Sequence, residues 1–273
     1  MSAFRAACVQ LRSSDDVADN IAKASALIRE AKAKGADFVA TPENTTLMAA
    51  DGGAKLERSF AEDADPALPA FRMLADELGI WLLIGSLAIK TSGTKTANRS
   101  FLIDPKGRIA ARYDKIHLFD TDPGAGESYR ESNTVAGGHK AVAADLPWLK
   151  LGMTICYDLR FPKLYRKLAQ GGATMLSVPS AFTETTGKAH WHVLLRARAI
   201  ENFAFVIAPA QGGMHANGRA TYGHSLIVAP WGEVLAEAGT EPGVIVADID
   251  TAAVAAARGR VPSLSHDRDF EGP

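Results

Sequence analysis

Short apolar runs alternate with amphipathic stretches along most of the chain, and their order occurs twice. Residues 4–11 read as a buried strand. Asn20 then stands where a helix N-cap is expected. Ile21, Ala24, Leu27, Ile28 and Ala31 follow at helical spacing, and Gly35 marks the stop. Residues 37–41 are a second short apolar run, ended by Pro42. Residues 66–79 carry Phe71, Leu74 and Leu78 on one helical face, and residues 80–89 read as a strand. Residues 100–112 fit a hairpin turned at Asp104-Pro105-Lys106-Gly107.

The second half runs through the same order. An apolar run from Leu149 ends at Cys156, and residues 162–171 place Leu164, Tyr165 and Leu168 on one helical face. Gly172 ends that helix as Gly35 ended the first. Residues 175–178 are a strand stopped by Pro179, as Pro42 stopped its counterpart. A helix over 189–202, a strand over 203–208 and a hairpin over 225–235, turned at Ala229-Pro230-Trp231-Gly232, complete the copy. This pattern predicts a duplicated α/β unit, with two sheets facing each other and helices outside. No Pro/Ser-rich linker parts the halves, so residues 1–273 are expected to form one domain. Two stretches stand outside the repeat. Residues 114–140 are long, rich in Gly, Asp and Ser, and of a length that in compact domains is often functional. Residues 258–273 are polar, and read as a loose end or as an arm on a partner subunit.

Composition narrows the function classes. The 273 residues suffice for a sizeable core, and the formal net charge is −1 with no basic block. That disfavours a sequence-independent grip on nucleic acid, which needs clustered Lys and Arg. No uncharged apolar run approaches the roughly 18 residues of a membrane span, and the start lacks a signal-peptide pattern. A cytoplasmic location is expected. Of two cysteines, Cys8 sits in an apolar run and reads as a small buried hydrophobe. No Cys-x-x-Cys is present, and His190 and His192 diverge on a helix, so no metal site is expected.

Cys156 is the candidate nucleophile. A strand that delivers a thiol to a sharp turn before a helix exposes it for attack, although a lone strand cysteine also serves as packing. Asp158 and Arg160 follow at positions where a core strand carries no charge. A thiol of ordinary pKa about 8.5 needs a base. None of the seven histidines stands in a papain-like context. Glu43 emerges at a strand end just after Pro42 and is the carboxylate candidate, with a turn cap as its other reading. Lys115, in R-Y-D-K-I-H-L-F-D, is flanked by apolar and aromatic residues. By itself it reads first as a snorkelling surface lysine.

Three separated blocks change the picture. T-P-E-N at 41–44, Y-D-K-I-H-L-F-D at 113–120 and C-Y-D-L-R-F-P at 156–162 resemble the signature blocks of the nitrilase, or carbon–nitrogen hydrolase, superfamily. P-S-A-F-T at 179–183, the helix block at 189–202 and Y-G-H-S at 222–225 extend the resemblance. It implies a four-layer αββα sandwich that pairs into homodimers or higher even oligomers, and a Glu-Lys-Cys triad at Glu43, Lys115 and Cys156. It implies a second glutamate, matched by Glu131 with Glu127 as the alternative. It also implies a thioester intermediate that needs no metal or organic cofactor. The Tyr157 N–H is the implied oxyanion donor. Phe119, Phe182 and His215 are candidate pocket residues. Within the superfamily the chain resembles the Nit branch, whose members hydrolyse amides of 2-oxo acids. Deaminated glutathione is the substrate the resemblance favours. Alternatives are 2-oxoglutaramate, an N-carbamoyl amino acid or a nitrile, a cysteine–histidine hydrolase, or a non-catalytic binding protein on the same fold. A carboxylate-bearing substrate calls for a cation, with Arg160 as the candidate; its other reading is an ion pair with Asp158. Arg196 or Arg198 is expected to pair with Glu201.

Overall fold

The computed structural model describes residues 3–124 and 126–272. Met1, Ser2, Ala125 of the central loop and Pro273 at the end of the expected arm lie outside them. The first half contains β1 (Ala3–Gln10), α1 (Val17–Ala33), β2 (Phe38–Ala40), α2 (Gly52–Arg58), α3 (Ala67–Leu78), β3 (Trp81–Lys90), β4 (Thr96–Ile103) and β5 (Ile109–Asp114). A short hairpin, β6 (Asp120–Gly124) and β7 (Glu127–Arg130), leads to the second half. That half holds β8 (Val142–Asp145), β9 (Lys150–Met153), α4 (Pro162–Gln170), β10 (Met175–Ser177), α5 (Glu184–Asn202) and β11 (Phe205–Ala208). It continues through β12 (Gly212–Met214), β13 (Ala220–Tyr222), β14 (Leu226–Val228), β15 (Val234–Glu237), β16 (Gly243–Asp250) and α6 (Ala252–Arg260).

Two six-stranded sheets share one plan, ordered β16-β1-β2-β3-β4-β5 and β8-β9-β10-β11-β14-β15. Each has an antiparallel edge strand, then three parallel strands, then an antiparallel hairpin. Side-chain alternation assigns the layers. Phe4, Ala6 and Cys8 of β1 face the second sheet, in one core with Met153, Met175 and Leu226. Ala7 and Val9 turn the other way, with Val39 and Ile84, onto Ile28 of α1 and Phe71 of α3. On the far side α4 and α5 lay Leu164, Leu168, Trp191 and Leu195 against the second sheet. The result is the αββα sandwich expected from the repeat.

Several local expectations need correction. Asn20 is not the N-cap of α1. Asp16 caps it, accepting from Asp19 N, while Asn20 is buried inside the helix and bonds Ser14 and Thr46 backbone groups. Helix α5 begins at Glu184, because the Thr183 hydroxyl accepts the Thr186 N–H as its cap. Helix α2 was not anticipated, since its two leading glycines oppose helix formation. The central loop is partly ordered by β6–β7 and a 3₁₀ turn at Glu131–Asn133. The polar tail from residue 258 starts inside α6, and its Asp267 pairs with Arg166 and Gln170 of α4. Strand β16 returns from the second half to pair with β1 over eight residues, tying the halves together.

The sheets approach closely at Gly85, beside the two proline stops. A Cβ added at Gly85 would meet Thr41 O at 1.8 Å and Pro179 Cβ at 2.5 Å. Backbone cannot yield as a flexible side chain does. Gly85→Ala is therefore expected to destabilise the fold by about 3 kcal/mol or more in urea unfolding. Gly259→Ala, in α6 with nothing within 4 Å of the added atom, is expected to stabilise by up to about 1 kcal/mol.

Candidate active site

Strand β9 ends in a turn that inverts the chain at Cys156, whose φ of +47° lies in the left-handed region. The Cys156 N–H donates to Pro179 O at 2.9 Å, which fixes the turn to the end of β10. A 3₁₀ turn over Cys156–Arg160 then leads to Pro162 at the start of α4. The organising group of this turn is Asp158, which is fully buried. Its Oδ2 accepts from Ile155 N at 2.9 Å and Tyr113 OH at 2.6 Å; its Oδ1 accepts from His117 N at 3.0 Å and His117 Nδ1 at 2.7 Å. Tyr113 and His117 flank Lys115 by two residues on either side. One carboxylate thus holds the cysteine turn and the lysine segment together, and the His117 ring stacks on Phe161 at 3.6 Å.

Lys115 is only 2% exposed. Its Nζ donates to Glu43 Oε1 and to Glu131 Oε2, each at 2.9 Å. An ammonium has three donors, so one N–H is left for the cavity. Asn98 of β4 donates through Nδ2 to Glu43 Oε1 at 2.9 Å and Glu131 Oε1 at 3.2 Å. Backbone N–H groups of Ala181 and Phe119 complete the two carboxylates at 2.9 and 2.7 Å. Burial pushes the Lys115 ammonium down, but Glu131 and Glu43 outweigh it and hold it well above its ordinary value. Burial likewise raises Glu43, yet the Lys115 charge and hydrogen bond prevail and bring it to about 2. Burial and then the Glu43 charge push the Cys156 thiol up, with Lys115 offsetting only part. The resting groups are therefore a thiol, a carboxylate and an ammonium. Among the described residues the Tyr157 N–H has no acceptor.

These groups open on one cavity of about 470 Å³. Glu43, Lys115, Glu131 and Cys156 lie along it, and Phe119, Tyr157 and Phe182 contribute aromatic wall. Glu131, not Glu127, is the second glutamate beside the lysine. Arg160 is elsewhere. It lies over the rings of Tyr157 and Phe182 and bonds His190, and Asp158 is occupied by other partners, so the expected Arg160–Asp158 ion pair does not form. His215 is not in the wall either: it is buried, bonded to Ser13 O and Thr221 Oγ1. Arg198 takes the expected pairing with Glu201. His192 and His224 both bond Glu237 Oε1 at 2.9 Å, tying α5 to β15. Sequence reading missed Asn98, Lys55 and Arg219, the last two of which also line the cavity. They lie outside the three blocks, and no local pattern marks them.

Residues 5–259 match the carbon-nitrogen hydrolase family, and the chain belongs to that family. It is 42% identical to the deaminated glutathione amidase of Synechocystis sp. over 97% of this chain and 98% of that one. It is 37% identical to the human omega-amidase over 98% and 96% of the two chains. Among solved structures it resembles the C. elegans NitFhit protein with a TM-score of 0.91 and 36% identity, covering 98% of this chain and 66% of that one.

The left-handed backbone at Cys156 costs a side-chain-bearing residue about 1–2 kcal/mol, which glycine escapes at a smaller entropic cost. Cys156→Gly is expected to be more stable than Cys156→Ala, by up to about 1 kcal/mol in urea unfolding. Equal or reversed stabilities would show that the turn is unstrained.

Proposed function

We propose that the chain is an amidase that cleaves a small linear amide of a 2-oxo acid through a thioester on Cys156, with deaminated glutathione as substrate. The observation that carries the chemistry is the buried Lys115 clamped between Glu43 and Glu131 in the cavity that holds the thiol. The name of the Synechocystis relative supports the substrate. Activity as an omega-amidase on 2-oxoglutaramate is the second reading, favoured by the human relative.

In this mechanism Glu43 accepts the thiol proton as sulfur attacks the amide carbonyl. A C–S bond forms and the carbonyl π pair moves to oxygen. The free N–H of Lys115 and the Tyr157 N–H receive that oxyanion; a preorganised donor of this kind is worth roughly 3–4 kcal/mol of barrier. The C–N bond then breaks and Glu43 returns its proton to the departing amine, leaving a thioester. Water gives a proton to Glu43 and attacks the thioester. Collapse breaks the C–S bond, Glu43 returns this proton to the departing sulfur, and the carboxylic acid is released with the thiol and the carboxylate restored. Glu131 takes no proton; it fixes the direction of Lys115. The thiol ionises only during attack, because the resting carboxylate is a weak base and the resting thiol a weak acid.

The same reading places the protein in a reducing cytoplasm as a homodimer. Both cysteines are free, and no helix among the described residues is long and apolar enough to cross a membrane. Val193 on α5, 69% exposed, lies with Ile200 and Trp231 among the exposed large apolar side chains, which suits pairing through that outer layer.

Two outcomes are expected. Glu43→Gln lowers kcat by about 10³-fold or more on an amide substrate, as removal of a general base that serves both half-reactions requires. The pH profile of kcat/KM is flat from about pH 5 to pH 9. Glu43 stays ionised until the pH approaches about 2, and burial keeps the thiol protonated on the alkaline side. A cysteine–histidine enzyme would instead show a limb near the ordinary histidine value of about 6.5. Such a limb, or an active Glu43→Gln enzyme, contradicts the carboxylate-base reading.

A further inference from the structure

The cavity contains two cations that pair with no carboxylate among the described residues. Lys55 of α2 donates to Asn44 Oδ1 at 2.8 Å. Arg219, just before β13, donates through Nη2 to Ala181 O at 2.7 Å and lies over the Tyr129 ring at 5.1 Å. Its Nε is buried with no partner. This contrasts with Arg99, Arg112, Arg130 and Arg198, each of which has a carboxylate. The acids along the same wall are already engaged: Glu43 and Glu131 by Lys115, and Asp51 as the cap of α2. Burial pushes the Lys55 ammonium down, Glu131 and Glu43 pull it back only in part, and Arg219 adds to the push. Two cations of like sign beside an aromatic wall are held at a cost that an incoming anion removes.

We infer that Lys55 and Arg219 form a carboxylate-binding subsite, so that the enzyme selects amides carrying a carboxylate a few bonds from the scissile carbonyl. This rests on the reading that Cys156 attacks an amide in the same cavity. It moves the carboxylate partner from Arg160, which the sequence suggests, to a residue 57 positions beyond the end of the cysteine block. Arg219 meets a carboxylate with charge-assisted hydrogen bonds, and Lys55 adds a point charge. Positive charge at this end also keeps the substrate carboxylate away from Glu43 and Glu131, which would repel it.

The test compares succinamate with its uncharged methyl ester as substrates of the wild-type enzyme, Arg219→Gln, Arg219→Lys and Lys55→Gln. Loss of a charged hydrogen bond corresponds to about ten- to a hundredfold. Arg219→Gln and Lys55→Gln are expected to lose at least tenfold more kcat/KM on succinamate than on the ester, mainly through KM. Arg219→Lys should recover part of the difference. A second measurement needs no turnover. Succinate should protect Cys156 from alkylation by iodoacetamide in the wild type, read by intact mass, and should protect the Gln variants at least tenfold less well. Equal losses on both substrates, or protection unchanged in the variants, would overturn the subsite. If no amide is hydrolysed but succinate protects in the expected order, the subsite stands and the amidase reading fails. If amides turn over and succinate gives the wild type no protection, the subsite fails and the chemistry stands.

Discussion

A lysine ammonium buried between two carboxylates sets the terms for the rest of this molecule. An isolated charge at the depth of Lys115 would cost several kcal/mol in lost hydration. Glu43 and Glu131 offset that cost only because each arrives at hydrogen-bond distance. Three separate chain segments must therefore meet within an ångström or so. The end of β2 brings Glu43, the segment after β5 brings Lys115, and the turn after β7 brings Glu131. The Ala181 amide and Asn98 then donate to the two oxygens that Lys115 leaves, Glu43 Oε2 and Glu131 Oε1, and the Phe119 amide adds a second bond to Glu131 Oε2. A cluster held by so many bonds has few alternative arrangements, and one N–H of Lys115 is left for the cavity.

The thiol is placed by a different device. Asp158, two residues past Cys156, binds the backbone at Ile155 and reaches Tyr113 and His117 on the lysine segment. The geometry between the Cys156 turn and the lysine segment is thus held by one buried carboxylate and not by the sheets alone. The facing sheets provide the coarse placement: Pro42 and Pro179 end equivalent strands of the two repeats, and Gly85 lets the backbones approach beside them. Duplication explains why this works. A site built where two copies of one unit face each other draws its groups from the strand ends of both.

Much of this was legible in the residues. Strand-stopping prolines and matching hairpin turns disclosed the repeat, and the repeat implied the layers. Glu43, Lys115 and Cys156 stood in recognisable blocks, the resemblance offered Glu131 with Glu127 as its alternative, and the structure brings the first three and Glu131 to one cavity. What escaped was long-range. Asp158 and Arg160 sit two residues apart and suggested an ion pair, but the turn points them to different neighbours. Arg219 and Lys55 lie outside the blocks and carry no local pattern that distinguishes them from surface cations. Asn20 has the chemistry of a cap, yet Asp16, one turn earlier, takes that role and frees Asn20 to satisfy buried backbone. Strand β16 was missed because its pairing with β1 spans nearly the whole chain, and no local spacing reports it.

The central claim is that a carboxylate-activated cysteine carries the acyl group. Intact-protein and peptide mass spectrometry on rapidly quenched turnover mixtures tests it most directly. The account predicts a transient adduct with the mass of the substrate acyl group, located on the peptide containing Cys156 and absent in Cys156→Ala. Sustained amide hydrolysis by Cys156→Ala, or an acyl adduct on any other residue, would contradict it.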